Sequence, residues 1–241
     1  MTYFFDFPKT LYKFGNEAKA VTFTDFSIFT EVVDDVKDNI SVYQNYTILN
    51  NDRPDQVSFK LYGSAEYYWT FYLMNDKIRE QGWPLNDVDL LAKVQKDFPG
   101  TTIRTTTDIA TSTKFVTGKS IRGITSGTVA EIDHRNLDLG LITVKGSKTF
   151  TQGETAVSTD DNTTSLIISS SSSEYLSAHH WEDASGNYID ITPSDSDPSI
   201  YTKVTNHDNY IRQNNLLKTI RVIKRDTIGD IVSAFKTVLR S

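Results

Sequence analysis

An α+β fold in three parts is predicted: a helix-rich N-terminal domain (1–99), an inserted small all-β barrel or sandwich (100–173), and an extended arm ending in a strand and an amphipathic helix (174–241). Three observations carry it. The composition changes abruptly at Phe98-Pro99-Gly100. From Thr101 to Ser173, 28 of 73 residues are Ser or Thr, none is proline, and Ile and Val come in short runs between glycines, the vocabulary of strands and tight turns. At the C-terminus Ile228, Ile231, Val232, Phe235, Val238 and Leu239 fall at helical spacing.

The first predicted helix runs from Asp25 to about Asn39, with Phe26, Phe29, Val33 and Val36 on one stripe. A strand follows near Tyr43–Leu49. Asp52 is placed to cap the next helix, in which Pro54 takes the second position, where its missing N–H costs nothing, and Val57 and Leu61 face inward. Gly63 supplies the left-handed residue that ends this helix, and Ser64 can cap a second, so two short helices meet at a sharp corner. A third helix starts at Asn86, with Leu85 and Leu90 as a staple across its cap, and stops by Pro99. In the β part, strands are predicted at Lys114–Thr117, Thr128–Asp133, Leu139–Val144, Thr155–Val157 and Leu166–Ser169. The five serines 169–173 read as a mobile connection out of it. Tyr175–Tyr201 reads as an irregular arm or hairpin, Leu216–Ile223 as a strand, and Asp226 as the cap of the last helix, whose stripe packs on its own domain or on another subunit.

Composition narrows the function. With 25 Lys and Arg against 31 Asp and Glu the net charge is −6, the wrong sign for a protein that neutralises phosphates, so nucleic acid is not expected as a partner. No apolar run approaches the roughly 18 to 20 residues of a membrane span, and Met1–Asp6 lacks the pattern of a secretion signal. No membrane partner is expected, and the chain is expected to stay in the compartment where it is made. The absence of cysteine removes disulfides and thiolate chemistry.

Between Phe59 and Tyr72 lie seven aromatics in fourteen residues. At about 150 to 250 Å² each, they carry roughly 1,000 Å² or more of surface, beyond the roughly 300 to 600 Å² patch that a monomer leaves in water. Some of it must meet the β part, the last helix or another protein. Catalysis has thinner support. His179 and His180 are adjacent and suit a solvated turn more simply than a metal site with Glu182 and Asp183. His134 follows Asp133 at a strand end, and His207 sits in a turn-like Asn206-His207-Asp208-Asn209. Asp34-Asp35, Asp87/Asp89, Asp160-Asp161 and Asp195/Asp197 are simplest as solvated faces, a helix first turn or loops. No phosphate cradle, nucleophile elbow or zinc-protease helix is found. No enzyme, cofactor or metal is expected.

Tyr46-Thr47-Ile48, Asp52, Val57, Leu61-Tyr62-Gly63-Ser64, Trp69, Leu73 and Asn75 resemble a LysM module, a strand-helix-helix-strand unit known for binding peptidoglycan and chitin. Asn51-Asp52-Arg53 stands where that family has Gly-Asp-Thr, and no second strand is evident between Asn75 and Trp83. A wider pattern is more specific. Phe4-Phe5-Asp6, Arg53-Pro54-Asp55, Leu61-Tyr62-Gly63, Tyr68-Trp69, Met74-Asn75-Asp76, Gly82-Trp83 and Asn214–Ile223 resemble the baseplate wedge subunit, the gene fifty-three product family, of T-even-type contractile-tailed phages. That resemblance implies a virion protein of the tail baseplate, assembled in the host cytoplasm. Its implied partners are other wedge proteins, whose helical bundle it clamps, and neighbouring wedges of a six-fold ring. Tyr62, Tyr68, Trp69, Trp83, Phe235 and Leu239 are then the expected scaffold or contact residues. A LysM-type peptidoglycan-binding module is the alternative.

Overall fold

A computed structural model describes residues 9–13, 15, 19–24, 37, 39, 41–105, 115–136, 139–160, 162–190 and 200–240. The predicted helix at Asp25–Asn39 falls almost wholly outside them, as do Phe4-Phe5-Asp6, Asp34-Asp35 and Asp195/Asp197. In chain order the elements are β1 (Lys9–Tyr12), β2 (Val21–Thr24), β3 (Tyr43–Thr47), α1 (Pro54–Tyr62), α2 (Trp69–Met74), α3 (Asp76–Gln81) and α4 (Asp87–Asp97). Next come β4 (Thr101–Thr105), β5 (Ser120–Gly123), β6 (Val129–Asn136), β7 (Leu141–Val144), β8 (Thr155–Ser158) and β9 (Ser165–Ser173). The chain closes with β10 (Ala178–Glu182), β11 (Tyr188–Ile189), β12 (Thr202–Thr205), α5 (Asn206–Leu217), β13 (Thr219–Ile223) and α6 (Ile228–Arg240). Two compact units result: residues 1–86 with 214–241, and residues 87–213.

In the first unit β3 pairs antiparallel with β13, Tyr43 opposite Ile223 and Thr47 opposite Thr219. The strand that pairs with β3 therefore comes from the C-terminal segment. Two apolar clusters form around this ribbon. One joins Trp69 and Met74 of α2 to Ile223, Ile228, Val232 and Phe235; the other joins Val57, Phe71 and Ile78 to Leu217, Ile220 and Val222. The stripe of α6 is thus covered within its own unit at Ile228, Val232 and Phe235.

Side-chain amides complete the stitching. Asn75 accepts from the Arg221 N–H at 2.7 Å and donates to the Arg221 carbonyl at 2.8 Å, and Asn214 makes the same reciprocal pair with the backbone of Leu85. Asp52 does not cap α1. Arg53 holds that position and donates its N–H to Gln56, while Asp52 accepts from Leu49 N–H and Lys60 in the preceding loop. With the cap moved to Arg53, Pro54 is the first helical residue and not the second.

The second unit contains a closed antiparallel barrel in the order β4-β7-β6-β5-β8-β9. Ile103, Ile121, Ile132, Ile142 and Ile168 fill it together with Phe115 and Phe150, since an opening of six strands is narrow enough for side chains to occupy entirely. Four predicted strands correspond to β6 to β9. Lys114–Thr117 does not: Phe115 is a core residue in a bend, and Lys114 lies outside the described residues. The serine run is no connection but the end of β9, held in register by β4, with Ser173 opposite Thr101 and Ser170 opposite Arg104. Serine is a weak strand former, and here the barrel closure decides.

Tyr175–Tyr201 yields β10 and β11, which with β12 form a three-stranded sheet in the order β11-β10-β12. Trp181 packs with Leu139 and Leu141 in a small satellite cluster. Asn206–Leu217 is a helix where the sequence suggests a turn followed by strand, so the last strand begins only at Thr219.

Candidate interface at the Gly63 corner

The corner is built as its residues dictate. Gly63 sits at φ 75°, ψ 5°, donates its N–H to the Phe59 carbonyl and turns the chain out of α1, while Ser64 accepts the Glu66 N–H at 3.2 Å. Ser58, fully buried, donates to the Ser64 carbonyl at 2.7 Å and locks the bend from beneath.

Around this bend the rings sort into two kinds. Trp69 and Phe71 are buried, and Tyr62, Tyr67, Tyr68 and Tyr72 are partly buried against the two clusters. Tyr62 lies 6.1 Å from Phe71 in a stacked pair and 5.7 Å from Tyr67 edge-on, and its hydroxyl donates to the Ile223 carbonyl at 2.9 Å. Burial pushes the Tyr62 phenol well above its ordinary range. Trp69 meets Phe235 at 5.2 Å. Trp83 packs at 5.9 Å from Phe71 and donates its indole N–H to the Asp52 carbonyl at 2.7 Å. Phe59 differs from all of these. On the outer side of α1 it is 63% exposed, lining a shallow hollow with Asp55, Gln56, Lys60 and Ala65.

The structure therefore brings together Tyr62, Tyr68, Trp69, Trp83 and Phe235 as internal scaffold of one unit. The side chain of Leu239 lies outside the described residues. Of the neighbours expected for the aromatic surface, the C-terminal segment is one: its last helix and β13 pack against six of the seven rings. Phe59 was legible as part of the cluster but not as its exposed member, since exposure depends on where the distant strand docks.

Titratable groups outside the corner form scaffold networks. His180 and Glu182 are buried on β10, not in a solvated turn: His180 Nε2 lies 2.8 Å from Glu182, which also takes a fork from Arg212, with the second contact at 3.1 Å. Hydrogen bonds from Arg212 and then His180 pull the Glu182 carboxyl down to about 2. Glu154 is buried against burial's tendency to raise it, yet N–H groups of Ser126, Thr151 and Thr125 outweigh that and hold it below the usual range. His207 occupies the first turn of α5, whose start is fixed by a reciprocal Thr205–Asp208 pair. Among the described residues no group of three or more His, Asp or Glu is placed to hold a metal ion, and no helix is long and apolar enough to cross a membrane.

Residues 1–85 match the family model of base plate wedge protein 53. The N-terminal region is thus similar to base plate wedge proteins of that family. No curated protein matches the chain. The matched segment comprises β1 to α3 with the Gly63 corner.

Proposed function

We propose that the first unit acts as the clamp of a baseplate wedge: it holds other wedge proteins through the exposed side of α1 and helps join adjacent wedges around a six-fold baseplate, without catalysis. The observation that carries this is the division of labour at the corner. Six rings are committed to holding α1, α2 and β13 together, and Phe59 is left in water on a segment that matches the wedge family. An exposed Phe beside Asp55 and Lys60 offers an apolar anchor rimmed by charge, the usual make-up of a contact that binds selectively.

The order β3-α1-α2-β13 also supports the LysM-like reading of the scaffold, with its second strand delivered from the C-terminus. Phe59→Glu is the test. Soluble protein should melt within about 1 °C of the parent, because the ring has little packing to lose, while tails made with the variant should lack closed hexagonal baseplates in electron micrographs. Intact baseplates would reject Phe59 as the contact, and intact baseplates in a phage lacking the whole gene would reject the clamp.

A further inference from the structure

The second unit holds a cleft of about 510 Å³ between the outer face of the barrel and the sheet β11-β10-β12. One wall is the end of the serine run with β4: Ser172 opposite Thr102, and Ser170 opposite Arg104. The other wall carries Lys203, opposite Trp181 on β10. We propose that this cleft receives an extended acidic peptide segment of another protein.

Charge is the first reason. In a chain where acids outnumber bases 31 to 25, none of the residues lining the cleft is Asp or Glu, while Arg104 and Lys203 both line it. A concave surface of one sign with hydroxyl donors favours a ligand of the other sign. Spacing is the second. Thr102 and Arg104 are two residues apart on one strand, as are Ser170 and Ser172 on its neighbour, so the paired rows recur about every 7 Å, the repeat of alternate side chains along an extended chain.

Saccharides and nucleic acids fit less well. Sugar rings and unpaired bases are held by stacking on open aromatic faces, and the only tryptophan in the cleft is 5% exposed, with the Arg104 guanidinium 5.6 Å above its ring. Tyr201 is likewise packed against the Leu139–Leu141–Trp181 cluster. What the cleft presents to a ligand is cation and hydroxyl.

The test uses the full chain and a fluorescein-labelled hexapeptide of alternating Asp and Ser, read by fluorescence anisotropy. Binding is expected at low salt and should fall at least tenfold in 0.5 M NaCl. Lys203→Glu and Ser170→Asp, both on exposed side chains, should each weaken it at least tenfold with unchanged melting, and Lys96→Glu on α4 should not. Absence of binding, equal binding of the Asn-for-Asp peptide, indifference to both cleft variants, or tighter binding of an acidic hexagalacturonate would each overturn the proposal. None of these outcomes depends on whether baseplates close, so the clamp and the cleft stand or fall separately.

Discussion

The two units close their cores in opposite ways. The barrel is assembled from strands that all lie between residues 101 and 173: β5–β6, β6–β7 and β8–β9 join consecutive strands, while β4–β7, β5–β8 and β4–β9 pair across intervening ones. The first unit closes only when β13, some 170 residues downstream, reaches β3. Loop-closure entropy grows slowly with length, so the long return is affordable in stability, but it makes the N-terminal rings dependent on the far end of the chain. A protein arranged this way can carry a module within it without disturbing the first unit, because the strand that pairs with β3 enters after the module.

The largest effect that would break this contrast is removal of residues 214–241. The barrel should keep its slow amide hydrogen exchange across 101–173, while protection across 43–83 should vanish; protection lost in both, or in neither, would show that the units do not close independently. Next in size is Trp69→Ala or Phe235→Ala, each expected to cost about 3 to 5 kcal/mol in chemical denaturation of the first unit, by the usual cost of emptying an aromatic site. Barrel probes should not move. Gly100→Ala sharpens the other side: an added Cβ would lie 2.7 Å from the Val144 carbonyl and 2.7 Å from Glu174, so the barrel should lose about 1 to 3 kcal/mol and the first unit nothing.

Smallest is an acid effect confined to the second unit. The Glu182 carboxyl moves from 4.5 to about 2 on folding, so the folded protein binds fewer protons there. Its contribution is complete above pH 4.5 and is lost as pH falls toward 2, through the loosening of Arg212 and His180. Glu182→Gln should flatten the decline of the melting temperature over that window in calorimetric scans.

How much of this was legible follows the same contrast. Helix α1, the Gly63 turn that ends it and the α6 stripe are local signals, and they are where the sequence places them, with the start of α1 shifted by one residue. The strands β6 to β9 were visible from short Ile and Val runs. What was missed depended on remote partners or on weak local preference: β4 and β5, with Thr and Arg between their apolar residues, and a serine strand that only its neighbour fixes. Helix α5 is polar and rich in Asn, poor material for a periodicity reading, although Thr205-Asn206-His207-Asp208 has the spacing of a capping box and could have announced it. At the corner, the cluster of rings was plain, but which ring stays outside is a property of the docked C-terminus.

The pairing of Asn75 with Arg221, and of the Tyr62 hydroxyl with Ile223, has a further consequence. Alternate residues of β13 face away from β3, and an open row of such groups is a template on which another chain can add itself. Two of the outward positions on this short strand are already occupied by an amide and a phenol from the same unit. Copies of the protein at high concentration therefore find those two positions closed to edge-to-edge pairing.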